Sequence, residues 1–387
     1  MAAPSIVAPG GSLDKALIAL HYGADAVYVG AQQFSLRKSA ANLNDHQLIY
    51  LCGVAHALKK RVYLALNIFP HERDMQPLGQ FLDRISTIPL DACIVSDIGV
   101  AAQVSERTPF PIHTSTQASV LNTPAAEYWH SLGAKRIVLA REASLNEAKT
   151  IKDATGLEIE LFIHGAMCSS FSGKCTISNV ASGRDSNRGG CIQSCRHAYT
   201  LDNGHTDHIM NSKDLMGIQY IPNYIQCGID AVKIEGRMKS ALYVANACQQ
   251  YRHAIDTYLT SPENFHAQSS IYTSHLNRVS NRGFTSASLV TPAGNDSISY
   301  DWNGYSKSLD FLGLIKKTTP TKSLLETKQP VSQSDTVYAI TPQRQALQKI
   351  PLAFESLTGQ TLSNVGPNQH VWLHHPVSDH GILVKTP

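Results

Sequence analysis

The chain has 387 residues, 43 % of them hydrophobic and only 16 % charged, which supplies a large core and excludes a disordered chain, a coiled coil or a charged tail. At roughly 150 residues per domain the length corresponds to about two or three domains. The formal net charge of +3 neither demands nor excludes a nucleic-acid partner.

The first eleven residues, MAAPSIVAPGG, carry no basic segment followed by a long apolar run, so no export signal is expected. Uncharged stretches such as 161–173 contain Ser, His and Gly and are too short to span a bilayer. A soluble, cytoplasmic protein with no membrane partner is expected. Its eight cysteines then read as buried thiols or metal ligands rather than a disulfide framework.

Strand-like apolar runs alternate with helical patterns through the first ~240 residues, which implies parallel strands. The predicted strands are Ile6–Pro9, Ala26–Gly30, Val62–Ile68, Ala92–Ser96, Pro111–Ser115, Arg136–Ala140, Glu158–His164 and Ala231–Glu235. Between them fall helices at Leu13–His21, His46–Lys59, Pro77–Ile85, Val100–Glu106, Ala125–Ser131, Leu145–Asp153 and Leu215–Ile225, and Ala241–Tyr258 follows. Eight such units indicate an α/β fold, a (β/α)8 TIM-like barrel over 1–260. The rival, a doubly wound open sheet, lacks a GxGxxG after its first strand. Segment 261–306 reads as an irregular extension with some helix. Segment 307–387 has short strand-like pieces (Phe311–Ile315, Thr336–Ile340, Val371–His374, Gly381–Val384) between Pro, Gly, Ser and Thr clusters, as in a small C-terminal β-barrel domain.

Successive side chains of a strand point to opposite faces. Ile159, Leu161 and Ile163 therefore oppose Glu160, Phe162 and His164, and Val232 and Ile234 oppose Lys233, Glu235 and Arg237. Ile112 opposes His113, Ser115 and Gln117, and Leu64 and Leu66 oppose Tyr63, Ala65 and Asn67. If helices cover the outside, the polar set points inward. A satisfied polar core is one account, and a binding site at the barrel mouth is the other.

Four cysteines, Cys168, Cys175, Cys191 and Cys195, fall within the glycine-rich loop 165–200 after the seventh strand, separated by six, fifteen and three residues. Three readings stay open: structural zinc, whose usual Cys-x2–4-Cys pair occurs only at the end of the run; an iron–sulfur cluster, which tolerates wider spacing; and buried thiols without metal. Cys52, Cys93, Cys227 and Cys248 lie on apolar patterns and read as core packing, with Cys227 a reserve ligand. Neither an HExxH helix nor a GxSxG elbow is present.

The segment Glu160–Ser178 (ELFIHGAMCSSFSGKCTIS) resembles the defining motif of the collagenase-like peptidases of unknown catalytic type. Further resemblance lies in GADAVYVG (Gly23–Gly30), FSLR (Phe34–Arg37), ALNIFPH (Ala65–His71), PIHTSTQASVLN (Pro111–Asn122), RIVLAREASL (Arg136–Leu145), MNSKDL (Met210–Leu215), VKIEGRMKS (Val232–Ser240) and NRGFT (Asn281–Thr285). Within the family the chain is most similar to the branch that converts the wobble uridine of tRNA to 5-hydroxyuridine. Relatives hydroxylate a ribosomal RNA cytidine or ubiquinone precursors, and peptidase activity on collagen-like substrates is the alternative.

The resemblance implies oxygen-independent chemistry, an iron–sulfur cluster (4Fe–4S) on Cys168, Cys175, Cys191 and Cys195, prephenate as co-substrate and tRNA as partner. It also suggests that polar residues at the barrel mouth line the site. Glu160, His164, Lys233 and Glu235 are the catalytic candidates. Arg37, His113, Gln117, Arg141 and Arg237 are the substrate-binding candidates, arginine being suited to a dicarboxylate. Residues 307–387 hold eight Lys and Arg against five Asp and Glu, an excess equal to that of the whole chain, which makes this segment a candidate RNA-docking module.

Overall fold

The computed structural model describes residues 2–36 and 41–386; the candidate Arg37 lies outside the described residues. In chain order the elements are β1 (Ser5–Gly10), α1 (Leu13–His21), β2 (Ala26–Val29), α2 (Asp45–Ala57), β3 (Arg61–Leu66), α3 (Glu72–Ile85), β4 (Ala92–Val95), α4 (Ile98–Arg107), β5 (Ile112–Thr114), α5 (Thr123–Ser131), β6 (Ala134–Val138), α6 (Leu145–Thr155) and β7 (Glu158–Ala166). A long loop follows, with the short helix α7 (Ile177–Ser182) and the hairpin β8 (Tyr199–Thr200) and β9 (Thr206–Asp207). Then come β10 (Asp214–Met216), α8 (Ile221–Gln226), β11 (Ala231–Ile234), α9 (Ala241–Thr260), α10 (Pro262–Leu276) and β12 (Phe284–Thr285).

Strands β1 to β7 pair in parallel in sequence order, and β11 pairs with both β7 and β1, so eight parallel strands close into the expected barrel. The helices begin where side chains cap free amides. Ser12 accepts from the Lys15 amide, Asn44 and Gln47 form a reciprocal capping box, as do Ser144 and Glu147, and Ser240 accepts from the Tyr243 amide. Outward-facing strand residues such as Ile6, Val27, Leu64 and Val232 share one buried cluster with Leu20, Leu51, Phe81 and Val244 of the helices. Val7, Tyr28, Tyr63 and Ile94 form a separate cluster inside the barrel.

One expected helix begins differently. Leu215 belongs to β10, which pairs antiparallel with the last residues of β7, and the helix starts only at Ile221, with Pro222 in its first turn. Leu215 is 2 % exposed, so its burial against β7 overrides local helix propensity. Downstream, β12 pairs with β10 and extends that strip of sheet beside the barrel mouth. The extension expected to be irregular with some helix opens with the fifteen-residue helix α10, capped by Ser261 on the Asn264 amide.

Toward the C-terminus, eight strands from Asp310–Thr318 to Ile382–Lys385 form one antiparallel sheet around a core of Leu312, Leu325, Val337, Ile350, Phe354 and Leu373. The sheet also joins the barrel. Leu309, Leu314, Ile340, Ile382 and Val384 belong to the barrel's own buried cluster. The Tyr22 hydroxyl reaches the Ile340 carbonyl at 2.9 Å and the His380 carbonyl at 3.1 Å. The rings of His21 and His380 stack at 3.9 Å. Among the described residues no helix is long and apolar enough to cross a membrane.

Candidate active site at the barrel mouth

Inside the barrel, Glu160 is fully buried and pairs with Lys233 at 2.6 Å and Arg136 at 3.1 Å. Burial alone would raise its pKa, but Lys233 and Arg136 bring it down to about 2, so it stands ionised between two cations. His113 lies edge-on to Tyr63 at 4.7 Å; burial first, then the Arg136 charge, lowers its pKa to about 3. Neither Glu160 nor His113 reaches the cavity walls described below. They form a layer beneath the cavity floor in which Glu160 is ionised and His113 neutral. Arg136, which completes this layer, was not singled out from the sequence because the predicted strand began at that residue rather than at Ala134.

Alternation fails at one residue of β7. The pairing of β7 with β11 slips between Lys233 and Ile234, so that Phe162 faces Lys233 but His164, not Ile163, faces Ile234. The irregularity turns His164 away from the barrel interior expected for it. Its ring sits among Tyr243, Tyr251 and Phe284 at centroid distances of 5.5–5.6 Å, and the Tyr251 hydroxyl lies 3.3 Å from Nδ1. Burial lowers its pKa to about 4, with nearby Asp214 opposing that shift, so the ring is neutral at pH 7.

The residues that do open to a cavity come from the ends of β2, β3, β5, β6, β7 and β11. Tyr28, Asn67, Gln117, Arg141, Phe162, Lys233, Glu235 and Arg237 line a small recess of about 40 Å³. Lys233 Nζ sits 4.3 Å from the Tyr28 ring centroid while bonding Glu160, and the Tyr28 hydroxyl is 3.1 Å from a Glu235 carboxylate oxygen. The Arg237 guanidinium donates to Ser35 Oγ at 2.8 Å, and the Arg141 guanidinium lies over Phe162 at 4.4 Å.

This recess adjoins a cavity of about 470 Å³, and Leu36, Gln117, Arg141 and Glu235 line both. The outer wall is the cysteine loop, and Cys168, Cys175, Cys191 and Cys195 all line it. Two glycines let the loop approach. Gly165 (φ +107°) packs where a Cβ would lie 2.3 Å from the Glu235 carbonyl, and Gly173 (φ +74°) where one would lie 2.0 Å from the Gln117 carbonyl. Ser172 fastens the loop further. Its hydroxyl accepts from the Arg141 amide at 3.1 Å, its amide donates to Glu142 at 3.1 Å, and its carbonyl accepts from the Ser119 hydroxyl. Glu142 and Ser172 carried no sequence signal beyond lying inside the resembling motifs.

The four thiols are not in disulfides; Cys168 and Cys191 are exposed, Cys175 and Cys195 half-buried. Burial would raise Cys175, but hydrogen bonds from Ser170, the Ile177 amide, Ser186 and the Ser178 amide outweigh it, and its pKa is lowered. Cys195 is raised, first by burial and then by electrostatic interaction with Cys168, with Cys191 adding to it. Soft sulfur donors around one cavity match the chemistry of a thiolate-held iron–sulfur cluster. Among the described residues no three His, Cys, Asp or Glu side chains are drawn together as a finished ligand set. Cys52, Cys93 and Cys248 are buried in the core, and Cys227 lies away from the cavity, at the end of α8.

Beside the cysteine wall is a second buried ion cluster that the sequence reading missed. Arg282 donates to Asp214 through two nitrogens at 2.8 and 2.6 Å, and Lys239 lies 3.8 Å from the same carboxylate. Lys239 and Arg196 line the cavity. By contrast, the cations of the C-terminal sheet are mostly neutralised within the fold. Lys307 pairs with Asp310, Lys316 with Asp14, Lys322 with Glu355, Lys328 with Glu326 and Lys385 with Asp335. Five of the eight cations of residues 307–387 are thus engaged by carboxylates.

Comparison with known proteins gives these features a context. The chain is 38 % identical over 325 residues to tRNA hydroxylation protein P1 of Bacillus subtilis, covering 81 % of this chain and 77 % of that one. It is 41 % identical over 305 residues to tRNA hydroxylation protein P of Helicobacter pylori J99, covering 74 % and 71 %. It is 35 % identical over 265 residues to a 23S rRNA 5-hydroxycytidine synthase of Escherichia coli, covering 67 % of this chain and 40 % of the relative. Residues 11–299, which contain the barrel apart from β1, the cysteine loop and the Asp214–Arg282 pair, match the model of peptidase family U32, and the chain belongs to that family.

Proposed function

We propose that the protein hydroxylates a pyrimidine base of RNA, with the wobble uridine of tRNA as substrate and 5-hydroxyuridine as product. The observation that carries this reading is that four thiols and a polar barrel mouth share one cavity of about 470 Å³, a volume suited to a single nucleotide. Relatives named for tRNA and rRNA hydroxylation support it.

Replacing C5–H by C5–OH oxidises the base by two electrons, so an oxygen donor and an electron acceptor are required. In this reading Cys168, Cys175, Cys191 and Cys195 hold an iron–sulfur cluster, which supplies a route for electrons at the cavity wall. No molecular oxygen is used in this reading: the hydroxyl oxygen comes from prephenate at the oxidation level of water, and the two electrons and two protons that leave the base go to an external two-electron acceptor. Arg141 and Arg237 are the cations placed to hold the carboxylates of prephenate. Glu235, at the junction of recess and cavity and in contact with the Tyr28 hydroxyl, is the group placed to move a proton. Glu160 holds Lys233 in place from below through a 2.6 Å contact. His164, turned away from the cavity, acts on the packing of β7 rather than on substrate.

Nucleoside analysis of tRNA from a strain lacking the gene tests the reaction. Loss of 5-hydroxyuridine, restored by the wild type but not by Cys175→Ala, is expected. Unchanged tRNA nucleosides would exclude it, and loss of 5-hydroxycytidine from ribosomal RNA instead would move the substrate. Iron and acid-labile sulfide in protein purified without air should fall with replacement of each of the four cysteines in turn.

A further inference from the structure

Single exposed apolar side chains are ordinary on a protein surface, but several on the rim of one cavity are not. Phe171 (67 % exposed), Met238 (49 %) and Tyr305 (44 %) all line the large cavity, yet they come from three separate segments. Phe171 is in the cysteine loop, Met238 follows β11, and Tyr305 closes the stretch after β12. Cations hold the Tyr305 ring in place. The Arg196 guanidinium donates to its hydroxyl at 2.8 Å, and Lys239 Nζ stands 5.0 Å from its centroid while donating to the Ser280 carbonyl at 2.9 Å. Arg282 donates two nitrogens to Asp214 Oδ1, and the other oxygen of that carboxylate stands 3.8 Å from Lys239 Nζ. The rim thus combines exposed rings with the cations Arg196 and Lys239. That is the composition by which proteins take single-stranded nucleic acid, rings stacking on bases and cations meeting phosphates. The thiols and Glu235 lie within the cavity walls, so a base must leave its stack to reach them.

We infer that this rim, and not the C-terminal sheet, is the RNA-docking surface: Phe171 and Tyr305 stack on bases flanking an extruded pyrimidine, and Arg196 and Lys239 meet the adjoining phosphates. The inference rests on the reading above that the substrate is RNA, and it adds where and in what form the RNA binds.

The test is fluorescence anisotropy of the full-length protein, purified without air, with a stem–loop RNA whose loop is uridine-rich and with a perfect duplex of the same composition. The stem–loop is expected to bind at least tenfold more tightly than the duplex. Phe171→Ala and Tyr305→Ala should each weaken stem–loop binding at least about fivefold, the low end of a lost base–aromatic stack. Phe171→Tyr, which keeps the ring, should stay within about twofold, which separates stacking from misfolding; thermal melts of all three variants check the fold. Replacing Lys317 and Lys349 of the C-terminal sheet by Ala should change binding by less than about twofold. Loss with that pair and no loss with the ring variants overturns the inference while leaving the proposed reaction standing. Equal affinity for duplex and stem–loop also overturns it. Failure of the wild type to bind either RNA overturns it as well, and the nucleoside analysis then judges the reaction independently.

Discussion

Glu160 shows how a residue's neighbours decide its role. A carboxylate with no exposed surface persists as an anion only because Lys233 and Arg136 stand within 2.6 and 3.1 Å. Replacing it by Gln leaves two buried cations facing an amide. Glu160→Gln is expected to cost about 3–5 kcal/mol of stability, measured by urea unfolding at pH 7. A loss below about 1 kcal/mol would show that the three groups are not coupled as described. His164 yields a pH prediction. Its folded pKa, about 4, lies below the ordinary histidine value of 6.5, so the unfolded chain takes up the proton first. The stabilisation is complete above pH 6.5 and is lost as pH falls toward 4. Stability should drop by about 2 kcal/mol between pH 7 and pH 5 from this one group. His164→Phe, which keeps a ring among Tyr243, Tyr251 and Phe284, should flatten that part of the profile. An unchanged slope would show that the neutral ring is not the cause.

Among the elements, the cysteine loop depends on contact with the barrel rather than on its own secondary structure, which amounts to one six-residue helix and short turns. Gly173 is where it lies flattest against the core. An alanine there would meet the Gln117 carbonyl at 2.0 Å in a backbone conformation that disfavours a Cβ. Gly173→Ala should lift the loop without disturbing the barrel. The expected outcome is several-fold faster proteolysis between residues 168 and 195 and reduced iron in protein purified without air, with far-UV circular dichroism unchanged. Wild-type cleavage rates and iron content would show that the close approach does not seat the loop.

On the scale of the whole molecule, barrel and C-terminal sheet share buried residues, Leu314, Ile340, Ile382 and Val384 packing into the barrel's cluster. Heat denaturation should therefore show one cooperative transition rather than two. The Tyr22 hydroxyl, bonded to the carbonyls of Ile340 and His380, is the polar pin of this contact. Tyr22→Phe leaves both carbonyls without that donor and is expected to cost about 1–3 kcal/mol. Two separate transitions in the wild type would show that the units melt independently.

The eight barrel strands were legible because a period of two and a period near 3.6 are local properties of the chain, and the four grouped cysteines because they are close in sequence. The inward polar faces followed from the same alternation at Lys233, Glu235 and His113. What local periodicity cannot contain is the partner. Glu160 became part of the barrel's interior, beneath the cavity, because Arg136 and Lys233 arrive from strands 24 and 73 residues away. A single irregularity in the pairing of β7 with β11 was enough to send His164 to the opposite side. The setting of Tyr305 beside the cysteine wall likewise exists only once the chain has folded back across the mouth. Register shifts and long-range ion pairs are set by packing between segments distant in sequence, and that is the part tertiary structure alone decided.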